Sequence, residues 1–425
     1  MSNFSKEQRV AFEEVLEAFD DALVVSKLVK VKRFDATELE RSSNYVWRPV
    51  PYIGTSYAGT DQTANFQNYT QMSVPSVVNQ SRSVPFQMSD TEMRDAIQEG
   101  RLKEAASQKL ASDINLFLLQ LISNQGTQFV KRAAAASGFD DVAAMAKIFN
   151  EQGIPMQGRK AVFAPGDWNG MVSNLQVASR SFGNDISDNA LKNASIGQIS
   201  SFSTFMLDYA QSKTAAAGGG GLTVSTTYTA GGAGNYWLPL NLQGSGGLSS
   251  NVDNRYQTIT VSSTTNVVAG DAFTIANVFA CHRITKQSTG ALKTFRVISV
   301  PSSTTLVISP PLINRAGTSQ AEQAYGNVVV SAQSGTAAIV FLNTVTGTQN
   351  PFFVDGAVEL LAGTFNPPSD AGVSVMRAST SQGIEMVMMK GYDINTRQIK
   401  TRFDVFYGGV VLQPEMCGIA MFSQT

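Results

Sequence analysis

The sequence predicts an α+β protein interrupted by an inserted β domain. Two early stretches carry apolar residues at helical spacing, and a block of short, evenly spaced strands follows a glycine run. After about residue 345 the composition returns to what preceded the block.

Residues 5–30 read as an amphipathic helix. Ser5 with Gln8 gives a capping-box start, and Phe12, Val15, Leu16, Phe19 and Leu23 share one face. Glu13, Glu14, Glu17, Asp20 and Asp21 crowd the remainder, and Lys27, Lys30, Lys32 and Arg33 follow. Acids early and bases late suit a helix dipole, yet the acids exceed what a dipole needs. A solvated face and a docking surface for a basic partner are both compatible with the pattern.

Tyr45 to Phe86 holds only three charged residues, Arg48, Asp61 and Arg82, among many Thr, Asn, Gln and Tyr. It reads as a long two-stranded excursion without a core of its own, so something else must stabilise it. Ser89 and Glu92 then suggest a second capping box, opening a helix from Asp90 to about Asn124, roughly 50 Å long. Its expected stripe is Leu102, Ala105, Ala106, Lys109, Leu110, Asp113, Leu116, Phe117 and Gln120. A shorter helix is expected at Asp140 to Glu151, strand and turn at Gly158 to Trp168, and strands between 191 and 209.

The run from Thr214 to Val224 contains four consecutive glycines and is the sharpest linker signal. Beyond it, RYQTITV, DAFTIANV, KTFRVISV, TLVIS and NVVVSA predict short strands of a small barrel or sandwich, with turns at Ala269-Gly270-Asp271 and Pro310-Pro311. At the C-terminal end, RFDVFYGGVVLQPEMCGIAM predicts two strands around a bend at Gly408-Gly409, with Arg402 and Asp404 on the polar face of the first.

Composition excludes several classes. Of 425 residues, 15% are charged and the net charge is -1, so the chain is no polycation for nucleic acid, and its weak mutual repulsion suits association. The two cysteines, Cys281 and Cys417, lie far apart, and the single His282 sits beside Cys281; no CxxC or HExxH spacing occurs, and no metal or cofactor is expected. The dipeptide Gly-Lys never occurs, which excludes a Walker loop, and no GxSxG elbow exists. Asp140-Asp141 is explained by a helix start. Lys131-Arg132 forms only a modest basic cluster. No signal peptide is visible, and the longest apolar run, Ile114 to Ile122, is too short for a bilayer, so a soluble protein made in the cytoplasm is expected.

Three passages carry a resemblance: ERSSNYVWRPV (Glu40 to Val50), NVDNRYQTITVSSTTNVVAGDAFTIANV (Asn251 to Val278) and RFDVFYGGVVLQPEMCGIAM (Arg402 to Met421). In these passages, and in the order of elements over the whole chain, the sequence resembles the major capsid (coat) proteins of tailed bacteriophages, of the P22-like branch with the HK97 fold.

The resemblance implies an N-terminal arm over 1–44, an extended β loop over 45–87 and the spine helix with peripheral domain over 88–126. It implies an axial domain over 127–215, an inserted small β-barrel over 222–344, an axial return over 346–385 and peripheral C-terminal strands over 386–425. It also implies self-assembly into hexamers and pentamers with a scaffolding protein and a portal protein. The resulting icosahedral virion shell would be built in the host cytoplasm, expand on maturation and enclose double-stranded DNA without reading its sequence, with no membrane involved. An encapsulin-like compartment shell is the alternative, and a hydrolase on a β scaffold the rival from another class.

On this reading Glu13, Glu14, Glu17, Asp20 and Asp21 are candidate scaffold contacts. Arg48, Asp61, Arg82, Asp253, Arg255, Arg402 and Asp404 are candidate contacts between subunits. The excursion would pair its backbone with a neighbouring subunit. The final strand pair would tie the chain end to the N-terminal region, with Arg402–Asp404 either a lattice contact or a simple cross-strand pair.

Overall fold

The computed structural model describes residues 6–33, 45–51, 53–54, 56–66, 72–89, 96–179, 197–218, 221–225, 228–229, 253–315, 320–330, 332–333, 336–364 and 373–424. The chain divides into two compact units. One comprises Met1–Val46, Ser76–Leu119 and Glu359–Val410; the other comprises Trp47–Pro75, Gln120–Val358 and Val411–Thr425.

In the first unit, helix Lys6–Ala22 buries Phe12, Val15 and Phe19 along one face, and Leu23 follows just beyond its end. The helix stops eight residues short of its expected end at residue 30. Buried Asn115 explains the stop: its Nδ2 donates to the Ala22 carbonyl at 3.0 Å, and its Oδ1 accepts the Val25 amide at 3.0 Å. One side chain therefore satisfies an orphan helix carbonyl and starts the 3-10 turn Val25–Lys27. Lys30, Lys32 and Arg33 lie on strand Lys30–Arg33, outside the helix, so they do not complement its dipole.

Helix Ala96–Gln125 is 30 residues long, about 45 Å. The expected Glu92 cap lies outside the described residues, and Ser89 ends a strand. The buried stripe is offset from the expected one: it runs through Ala106, Leu110, Ala111, Ile114 and Leu118, whereas Ala105 is exposed. Lys109 and Asp113 pair on the surface at 2.6 Å.

The sheet of this unit orders as Lys30–Arg33, Val358–Ala362, Gln398–Val411, Glu385–Asp393 and Ser374–Ser379. Strand Ser73–Ser89 pairs antiparallel with Gln398–Val411, from Ser89↔Gln398 to Val78↔Gly408. The end of the excursion, Val78 to Phe86, is thus paired within its own chain, where pairing to a neighbour was expected. Its alternating Val74, Ser76 and Val78 are buried, which gives this segment the core that composition had concealed.

In the second unit, a six-stranded sheet orders as Gln128–Lys131, Cys417–Met421, Asn350–Val354, Arg159–Phe163, Phe202–Met206 and Gln198–Ile199. Phe149, Phe163, Trp168, Phe202 and Phe352 fill its core with helix Phe139–Glu151. After Arg159–Phe163 the expected turn is instead the start of helix Pro165–Ser179.

The second sheet orders as Gln257–Thr260, Thr305–Ser309, Ser288–Ser302, Ala272–Cys281, Ala337–Phe341 and Thr223–Val224. It closes on itself. The Ser225 amide donates to the Thr260 carbonyl and the Ser262 amide to the Thr223 carbonyl, each at 2.9 Å. Alternating Phe273, Ile275, Phe295, Val297, Leu306 and Ile308 point inward, as the period of two requires. Gly270 holds φ +87° in the turn before Ala272–Cys281, a conformation that favours glycine.

The C-terminal passage departs from expectation. Strand Gln398–Val411 runs straight through Gly408-Gly409, and the chain breaks at the 3-10 turn Pro414–Met416. Gly408 marks a register shift against Val78, where a Cβ would meet the Val77 carbonyl oxygen. The two terminal strands enter different sheets, and Cys417–Met421 lies between Gln128–Lys131 and Asn350–Val354. Conversely, strands Val358–Ala362 and Ser374–Ser379, expected in the axial return, join the sheet of the first unit.

Candidate assembly contacts

On helix Lys6–Ala22 the acids opposite the buried stripe divide into two kinds. Glu13, Glu14, Glu17 and Asp21 are exposed. Asp20 is half-buried, and its Oδ2 accepts the Ser381 hydroxyl at 2.7 Å, so it holds structure as well as charge.

The excursion is anchored at its base. The Val50 amide donates to the Met72 carbonyl at 2.8 Å. Tyr325 bridges the same two residues, donating its hydroxyl to the Val50 carbonyl at 3.2 Å and accepting the Met72 amide at 3.4 Å. Asn254 exchanges bonds with Ser73, its Oδ1 accepting the Ser73 amide at 2.8 Å and its own amide donating to the Ser73 carbonyl at 3.2 Å. Arg48 is half-buried on strand Tyr45–Pro49.

Farther out, exposed Asp61 accepts the Thr63 hydroxyl at 2.6 Å and the Thr63 amide at 3.0 Å, which hold its carboxyl below its ordinary range. Phe66 follows, 85% exposed. Sequence reasoning missed Phe66. Its signal was a lone large apolar ring within a charge-poor, Gln- and Asn-rich stretch.

Several charged candidates are neutralised inside the chain. Asp253 and Arg255 form a bidentate pair at 2.7 Å, and Arg255 Nη1 donates to the Val411 carbonyl at 3.0 Å. Arg402 Nε lies 2.7 Å from Asp404 Oδ2 along one strand, so this is neither a cross-strand pair nor wholly exposed: Asp404 is buried. Arg82 stands exposed on its strand opposite Val405. In the second unit Arg132 of the basic cluster is engaged by buried Asp141 at 2.7 Å.

The first unit also carries an open groove of about 850 Å³ beside the turn between Glu385–Asp393 and Gln398–Val411. Phe86, Val373, Tyr392 and Ile394 give it apolar walls, and Lys400 and Arg402 rim it. Ile394 is 82% exposed. Tyr392, two residues before it, is 53% exposed.

Cys281 is buried, its thiol pushed up by burial, and Cys417 is pushed up further by the same cause. His282 Nδ1 accepts the Ile284 and Thr285 amides. Among the described residues no group of His, Cys, Asp and Glu is placed to hold a metal ion, and no helix is long and apolar enough to cross a membrane.

The described residues thus form an α+β frame with a closed β-barrel, and expose apolar tips and acids on its surface. Residues 1–423 match the family described as P22 coat protein - gene protein 5, and the chain belongs to that family. It is a major capsid protein, a component of the virion shell that self-associates into capsomers. Membership sets aside the encapsulin-like alternative and agrees with the HK97-like fold class.

Among solved structures it is similar to that of Mycobacterium phage Che8, at 11% identity over 94% of this chain and 90% of that chain, with a TM-score of 0.44. The capsid of cyanophage P-SCSP1u is similar at 10% identity, over 94% and 87%, with a TM-score of 0.45. The CUS-3 coat protein I-domain is 39% identical, covering 29% of this chain and 97% of that chain, with a TM-score of 0.22.

Proposed function

We propose that this coat protein builds an icosahedral shell of hexamers and pentamers with a scaffolding protein and a portal, without catalysis, and that the shell expands around double-stranded DNA. The observation that carries the reading is the family match over residues 1–423. The exposed acids Glu13, Glu14, Glu17 and Asp21 supply a negative face for a basic scaffolding helix. Asp20 contributes charge to that face from a half-buried position.

Contacts between subunits would use the outer part of the excursion. Phe66 is a knob in need of burial, and the apolar groove at Tyr392 and Ile394 is a complementary hole on a second copy. Asp61 is the only charge between Arg48 and Arg82, and Lys400 at the groove rim, itself paired with Asp393 at 2.8 Å, is opposite to it in sign. Arg82 remains a candidate rim contact. The internally paired Asp253–Arg255 and Arg402–Asp404, and half-buried Arg48, act first by holding their own segments in shape.

Expression with and without the scaffolding gene, followed by negative-stain microscopy, tests the reading. Closed shells of uniform size should form with the scaffold. Monomers alone in both preparations would overturn it.

A further inference from the structure

The tip of the excursion carries more internal bonding than a plain connection needs. None of residues 56–66 is buried, and only Gln62 and Asn65 are half-buried, so packing does not fix the shape of this stretch. Its own polar side chains do. Asp61 Oδ1 accepts both the amide and the hydroxyl of Thr63, an Asx turn that leads into the 3-10 turn Thr63–Asn65.

The Gln62 side chain braces the turn from both sides. Its Nε2 donates to the Gly59 carbonyl at 2.6 Å, and its Oε1 accepts Asn65 Nδ2 at 2.7 Å. The Asn65 amide closes the turn on the Gln62 carbonyl at 2.8 Å. Phe66 follows directly, with extended backbone and an exposed ring.

We infer that Asp61 and Gln62 are positioning residues, which hold the tip as a pre-folded turn that presents Phe66 in one orientation. The inference rests on the proposed burial of Phe66 by a second copy, and it gives Asp61 a role that its charge does not explain. An aromatic ring presented by an ordered turn loses less conformational freedom when a neighbour buries it, so more of the contact energy remains for association. Carboxylate and carboxamide oxygens both serve an Asx turn. A positioning role therefore survives Asp61→Asn, which removes the charge and keeps the acceptor; a charge contact does not.

The test compares Asp61→Asn, Asp61→Ala and Gln62→Ala in the full-length chain. In the monomer, amide nitrogen relaxation should give Thr63 to Phe66 order parameters of about 0.8 in wild type and Asp61→Asn, and below about 0.6 in the two alanine variants. In scaffold-dependent assembly followed by light scattering, Asp61→Asn should match wild type, and the alanine variants should form shells about fivefold more slowly. Asp61→Asn as slow as Asp61→Ala would make the contact one of charge and overturn the positioning role. Order parameters unchanged in both alanine variants would overturn it as well. Phe66→Ser separates this inference from the reading beneath it. Wild-type assembly by Phe66→Ser overturns the burial of Phe66 and with it the purpose of the turn. Slow assembly by Phe66→Ser beside wild-type assembly by Asp61→Ala and Gln62→Ala overturns the positioning role alone.

Discussion

Lys293 Nζ lies 2.5 Å from Glu415 Oε1, joining the inserted barrel to the turn that precedes the last strand. Lys293 is 1% exposed and Glu415 38%. Around them Gln128 and Gln152 exchange side-chain bonds at 2.7 and 2.9 Å, so the junction is a connected polar network within one compact unit. Glu415→Gln leaves a buried ammonium without its charge partner and should cost about 2–3 kcal/mol of unfolding free energy, the upper range being reduced by the carboxylate's exposure. Denaturant titration measures it.

The same pair gives the junction a pH dependence. Burial alone would raise the Glu415 carboxyl, but Lys293 and Arg283, with the hydrogen bonds from Lys293 and Asn327, bring it below its ordinary 4.5. A depressed carboxyl stabilises the fold above its unfolded value and loses that contribution as pH falls through the lower folded value. Wild-type stability should therefore drop below about pH 4.5 more steeply than that of Glu415→Gln.

Arg296 on strand Ser288–Ser302 is fully buried and donates Nη2 to the Ser123 carbonyl in the last turn of the long helix. A cation there satisfies an orphan carbonyl and opposes the dipole's negative end. Burial lowers its pKa to about 10. Arg296→Ala should cost about 2–4 kcal/mol by adding a void to the lost cap. Arg296→Met, which keeps the volume and removes the buried charge, should cost less, with both values read from denaturant midpoints.

Gly408→Ala should be among the worst single substitutions in the chain. A Cβ there meets the Val77 carbonyl oxygen and lies 2.9 Å from Val78 Cα, backbone that cannot step aside without unpairing strand Ser73–Ser89. A loss of about 3 kcal/mol is expected, visible as a shift from soluble to aggregated protein on expression.

Much of this architecture was legible in local pattern. The inward alternation of Phe273, Ile275, Phe295 and Val297 announces the barrel strands, because a half-buried strand has period two. Gly408-Gly409 misled because glycine marks both turns and close backbone approach, and the sequence alone does not show Val77 opposite. The stripe of the long helix was misassigned because polar Ser107 and Asn115 are buried in it, Asn115 for its bonds to Ala22 and Val25. The base of the excursion was illegible for another reason. Asn254 and Tyr325 close it from 181 and 275 residues away, and no local signal encodes such contacts.

For the acidic face, Glu13→Lys, Glu14→Lys and Glu17→Lys combined should abolish scaffold-dependent assembly and leave the monomer's thermal midpoint unchanged. Asp20 is best left intact in that experiment because Ser381 depends on it. Assembly at the wild-type rate, followed by light scattering with scaffold, would remove these residues from the scaffold contact.

Phe66→Ser and Ile394→Ser should each alter monomer stability by less than about 0.5 kcal/mol, since both side chains are exposed. Each should nevertheless slow or prevent shell formation, measured by sedimentation.

The central claim is that sister copies bury what a single copy leaves exposed. Hydrogen exchange over residues 56–66 and 391–397, compared between isolated monomer and assembled shell, tests it most directly. Fast exchange in the monomer and strong protection of both segments in the shell are predicted. Equal exchange in the two states would contradict the account.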